Sequence, residues 1–316
     1  MSRRREASVG LAIGALAILL ALIAPGFFAR ANLVDISLGN LPVLVAALGT
    51  LLVILTGEID ISIGSVFAVC GVAAGVCADA GLPMLVSAGA ALVCGLLAGA
   101  ANGAFVAYLE LPSIVVTLAS MVAVRDALRW TTQGAWVQNL PASFQWFGLR
   151  QEQFPIVAFA IAAALAAALA WGLRNVGAGR AIYATGSDVD AARLAGLDTR
   201  AVKFAVFAAG GALTGLAALL NAVRFNQIPS NAGLGLELKV IAAVVVGGAA
   251  IQGGRGSVGG TVLGVVLLAL IGPALVFLGI NAYWERAIQG VIILAAVMAD
   301  AIPRPRAAAV QPVAQA

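Results

Sequence analysis

Residues 84–107 read MLVSAGAALVCGLLAGAANGAFVA, a run without one charged side chain. At 1.5 Å per residue this makes a helix of about 36 Å, enough to cross the roughly 30 Å of hydrocarbon in a bilayer. Nine further apolar runs follow the same logic, at 7–24, 38–56, 61–79, 112–130, 155–173, 203–222, 238–252, 258–279 and 286–302. The composition agrees, since 62% of the 316 residues are apolar and 10% charged. Soluble domains run near half apolar and about a quarter charged. The 37 glycines supply the small residues that let membrane helices approach closely. The expectation is an all-α membrane protein of about ten transmembrane helices. Residues 1–6 would be a cytoplasmic N-terminus, 7–302 a single membrane domain, and 303–316 a disordered cytoplasmic tail.

Charge placement sets the orientation. The pI near 9.3 suggests nucleic acid, but the 18 basic residues sit in short loops between apolar runs, as in topology control by positive charge. Eleven of them, including Arg3, Arg4, Arg5 and the dense 174–203 loop, fall on the side of the N-terminus and seven on the other side or at span ends. Both termini are therefore expected in the cytoplasm, with lipid and not nucleic acid around the spans. Trp130, Trp136 and Trp146 fall in or beside the longest opposite-side loop, where interfacial aromatics belong. Arg3 to Arg5 followed by an apolar run also fits a secretory signal, with Ala29-Arg30-Ala31 a poor cleavage site.

Several chemistries are excluded. There is no His, so His triads and His metal sites are absent, and no phosphate-binding glycine loop precedes either lysine. No catalytic residue, cofactor or metal site is expected. Cys70, Cys77 and Cys94 lie inside apolar runs and read as small hydrophobes.

One internal repeat is suggested: Leu44–Val66 lies without gaps on Leu236–Val258 at an offset of 192 residues. Both are apolar spans ending in a glycine-containing polar turn and then Gly-Ser-Val, the kind of repeat many transporters use. In the first turn, GEIDISIGSV at 57–66, Glu58 and Asp60 either face a cavity or partner or merely cap the third span. Asn102, Asn221, Asn226 and Gln227 would meet a substrate hydroxyl or bond between helices.

The longest cytoplasmic-side polar stretch is 175–203. Within it Asp188 to Ala195 reads as a short helix, capped by Ser187 or Asp188 and stopped by Gly196. Asp190, Ala191, Ala192, Arg193 and Gly196 follow an acid-Ala-Ala-x-x-x-Gly pattern. Small residues there suit entry into a partner's groove, and the plain alternative is a solvated loop.

GEIDISIGSV at 57–66, GRAIYATGSDVDAARLAG at 179–196 and GLELKVIAAVVVGGAAIQGGRGSVGGTVLG at 235–264 together resemble the permease subunits of bacterial ABC importers for monosaccharides. That is the ribose/xylose/galactoside branch, related to the branched-chain amino acid permeases. TTQGAWVQNLPASFQWFGL at 131–149 and NAYWERAIQG at 281–290 look most like the rhamnose and autoinducer-2 importer permeases. The resemblance implies that Asp188 to Gly196 is a coupling helix docking on a separate ATPase, which binds the ATP. It also implies pairing with a second permease, identical or homologous, and delivery by a periplasmic sugar-binding protein. The rival classes are an ion-coupled secondary transporter of a small polar solute, for which Glu58, Asp60 and Asp126 are the available acids, and an intramembrane enzyme.

Overall fold

The computed structural model describes residues 2–281 and 283–301, so the expected tail at 303–316 lies outside the described residues. The described chain is helical, and its one β-bridge joins Val137 to Ile228. In chain order the helices are α1 (Ser2–Ile23), α2 (Arg30–Leu55), α3 (Ile63–Asp79), α4 (Met84–Ala107), α5 (Ser113–Thr132), α6 (Phe154–Asn175), α7 (Gly177–Ser187), α8 (Val189–Leu194), α9 (Thr199–Ala222), α10 (Leu236–Val246), α11 (Val258–Phe277) and α12 (Trp284–Ala301). Among the described residues six are long and apolar enough to cross a membrane: α1 from Glu6, α2, α4, α6, α9 and α11.

Every expected span coincides with a helix, with corrections at the edges. The span expected at 238–252 ends at Val246, leaving an 11-residue helix of about 16 Å, half a bilayer. Its cause is the Gly247-Gly248 pair, where Gly248 takes φ +97° and turns the chain while hydropathy stays high. The span expected from 38 begins at Arg30, and α1 begins at Ser2. The 174–203 loop carries two short helices, α7 and α8.

α2 is the central post, with 83% of its span buried against 11% for α1. It is walled by α9, α10, α11 and α6. The closest pairing is α4 with α9. Gly95, Gly99 and Gly103 recur every four residues, so they share one helix face. A Cβ built at Gly99 would overlap the Phe207 carbonyl, and one at Gly211 would overlap that of Gly95. In lipid, where apolar burial gives no net drive, such backbone proximity is what holds helices together.

The connections gather at two ends. At one, Gly254 N–H bonds the Leu55 carbonyl, Arg200 reaches Glu110, Lys203 reaches Glu58, and Glu6 accepts from Ser257. At the other, Leu140 N–H bonds Asn226 O, Trp146 N–H bonds Val223 O, and Phe27 packs on Phe277. The two turns of the suggested repeat thus touch, although Gly57 of the first aligns with Ala249 of the second and their glycine geometries differ.

Candidate functional site

At the second end lies a cavity of about 1170 Å3, floored by Gly39, Pro42 and Val43 of α2, Phe67 of α3 and Leu236 to Lys239 of α10. Its rim residues Phe225, Leu234 and Tyr283 are exposed. Ligand pockets usually run to roughly 300–1,000 Å3, so this is a vestibule with room for a small solute and its water. Of the four amide candidates, Asn221 and Gln227 line it. Sequence reading missed its charged groups. Lys239 on α10 pairs with Glu285 on α12 at 3.5 Å, and Gln289 donates to Glu285. Glu237 also lines it, and its Oε2 is buried without a hydrogen-bond partner among the described residues. That oxygen and the Arg125 guanidinium both lie against Gly64, and Arg125 Nη1 donates to Ala232 O at 3.3 Å. Ionisable groups at membrane depth mark solute pathways.

The other sequence candidates do not enter this vestibule. Asn102 is buried, donating to Ser62 Oγ at 2.9 Å and accepting from Ser120, a bond between α4, the α2–α3 turn and α5. Asp60 accepts from Ser62 N and Oγ at 2.8 and 2.6 Å, shaping the turn into α3. Asn226 is exposed and contributes its backbone carbonyl to Leu140. Glu58 pairs with Lys203 at 2.5 Å. Its partner comes from the start of α9, 145 residues further along the chain.

The stretch at 188–196 folds much as read. Asp188 caps α8 by accepting from the amides of Asp190 and Ala191 at 3.0 and 2.9 Å, and Gly196 at φ +81° ends it. Asp190, Ala191 and Arg193 are exposed and Leu194 is 90% exposed, an apolar side chain with nothing of this chain over it. Ala192 is turned inward and buried, so its small size serves packing within the chain. Arg193 donates to Thr199 Oγ1 and reaches Glu110, which Arg200 also holds at 2.6 Å. The Arg200 hydrogen bond, with charge from Arg200, Arg193 and Lys203, holds the half-exposed Glu110 carboxyl below the usual carboxylate range. Burial pushes the Tyr183 phenol up from its ordinary value.

A profile described as branched-chain amino acid transport system / permease component matches residues 32–297. The chain belongs to this permease family. The permease is 37% identical over 295 residues to the Autoinducer 2 import system permease protein LsrC of Escherichia coli O157:H7, covering 90% of this chain and 85% of that one. It is 35% identical over 306 residues to the protein of the same name from Yersinia pseudotuberculosis, serotype O:1b, covering 95% and 86%. No solved structure matches. The permease is thus a multi-pass transport subunit and not an enzyme.

Proposed function

We propose that the permease forms half of the translocation pathway of an ATP-driven ABC importer for a monosaccharide, with autoinducer-2 or a rhamnose-like sugar favoured. The observation that carries this is the placement of a wide vestibule with charged groups in its wall and a capped, exposed α8 at opposite ends of one family fold. Asp188, Asp190, Ala191, Arg193 and Gly196 present α8 to an ATPase, while Ala192 anchors it to α9. Asn221 and Gln227, with Glu237, Lys239, Glu285 and Gln289, meet the solute. Glu58, Asp60 and Asn102 hold the frame. ATP is bound by the partner subunit, and a second permease and a periplasmic sugar-binding protein complete the importer.

The chain crosses the inner membrane about ten times, with both termini and α8 in the cytoplasm, and α2–α3 repeats as α10–α11. Of the acids that sequence offers an ion-coupled carrier, Asp60 is hydrogen-bonded, Glu58 pairs with Lys203 and Asp126 pairs with Arg129. The assembled importer in liposomes should take up labelled autoinducer-2 or rhamnose only with ATP and binding protein. Collapsing proton and sodium gradients should leave that uptake intact. Uptake that follows an ion gradient without ATP would overturn the reading.

A further inference from the structure

Between α8 and the vestibule stands a joint built almost wholly of backbone. α7 runs into α8 with Asp188 alone between them, so the two short helices form one arm. The last turn of α7, in the middle of that arm, is lodged between the end of α2 and the glycine turn that follows α10. A Cβ built at Gly186 would overlap the Leu55 carbonyl and come within 2.6 Å of the Gly254 amide. One at Gly253 would lie 2.7 Å from both the Gly186 carbonyl and the Gly57 amide. Gly254 N–H donates to Leu55 O at 2.9 Å, and Tyr183 Oη donates to Gly256 O at 2.9 Å. Gly57, Gly253 and Gly254 all take positive φ, so the contact depends on residues without side chains.

We propose that Tyr183 and Gly186 are positioning residues of the transport cycle, seating the arm so that a displacement of α8 passes directly to α2 and α10. Both helices help floor the vestibule, through Val43 on α2 and Glu237 and Lys239 on α10. Main chain packed on main chain has no rotamer to yield, so the joint transmits motion instead of absorbing it. From Leu55 to Val43 the rigid lever of α2 is about 18 Å long. While the arm is seated, the Leu55–Gly254 bond holds the α8 end of the pathway shut. Withdrawing the arm frees the ends of α2 and α10 to part.

The inference rests on the reading of α8 as the coupling helix, and the test separates the two. The complete importer is reconstituted, and hydrolysis and uptake of labelled autoinducer-2 or rhamnose, whichever the wild type carries, are measured together. ATP-driven uptake by the wild type tests the reading of the whole chain; the variants test the joint. Tyr183→Phe removes one hydrogen bond and keeps the ring. Uptake per ATP should fall about fivefold, the weight of one bond, with hydrolysis and the amount of assembled complex unchanged. Gly186→Ala, read on the assembled fraction, should lower the ratio further. A thiol at Leu234→Cys adds a conformational readout: trapping the nucleotide should change its labelling in the wild type and change it less in Tyr183→Phe. Unaltered uptake per ATP in Tyr183→Phe, or uptake and hydrolysis falling in equal proportion, would place both residues in the fold alone and overturn the inference.

Discussion

At the α8 end Lys203 meets Glu58 at 2.5 Å with both side chains largely covered, and Glu110 is shared by Arg200 and Arg193. The space they enclose is about 310 Å3. At the vestibule end about 1170 Å3 is open between helices, Lys239 and Glu285 stand at 3.5 Å, and Glu237 keeps a buried oxygen with no hydrogen-bond partner among the described residues. One end is knit by paired charges and backbone contact around a small space; the other is hollow and carries charges that line open space. Alternating access requires such an asymmetry, with one gate shut while the other admits solute. On the proposed reading, the first set of charges closes one end of the pathway and the second meets solute.

The largest effect expected from that assignment is at Glu58 and Lys203. Removing one partner leaves the other charge largely buried, so Glu58→Gln or Lys203→Met should cost about 2 kcal/mol, between exposed and buried pairs. The double variant should recover much of it. Thermal unfolding in detergent with uptake assays checks this, and strictly additive losses would break the pairing. At the vestibule, Glu285→Gln should leave abundance near normal and weaken uptake by several fold. A loss of folded protein instead would make the Lys239–Glu285 pair a brace between α10 and α12.

Asp188→Ala removes the cap of α8, worth about 1 kcal/mol locally. Amide exchange in α8 should quicken and uptake should drop while the membrane helices stay protected. Smallest is the pH effect at Glu110. Because its carboxyl is held below its unfolded value, the stabilisation is present above the ordinary glutamate pKa of about 4.3 and fades as pH falls through the lowered value. Comparing the acid unfolding of Glu110→Gln with wild type reads it, and identical acid limbs would show that the pair contributes nothing.

Local signals carried well from sequence to structure. The cap at Asp188 and stop at Gly196 are contiguous chemistry, and α8 starts and ends where they put it. Lysine and arginine counting grouped 3–5, 174–203 and 255 on one side, and contacts of Glu6 with Ser257 and of Tyr183 with Gly256 gather those segments at one end. Hydropathy misjudged α10 because Gly247, Gly248, Ala249 and Ala250 are apolar enough to extend a span yet turn the chain. The vestibule charges were illegible for a different reason. Glu237 and Lys239 look like blemishes in an apolar helix until Arg125 and Glu285 are brought beside them from distant segments. Lys203 likewise gains its meaning from Glu58, 145 residues away.

The central claim, that the vestibule and α8 lie on opposite sides of the membrane, is tested most directly by thiol labelling in intact cells. In a cysteine-free background, Leu234→Cys at the vestibule rim should react with an impermeant reagent added outside. Ser187→Cys, beside the α8 cap, should react only after the membrane is permeabilised. External labelling at position 187, or labelling at 234 that requires permeabilisation, would contradict the account.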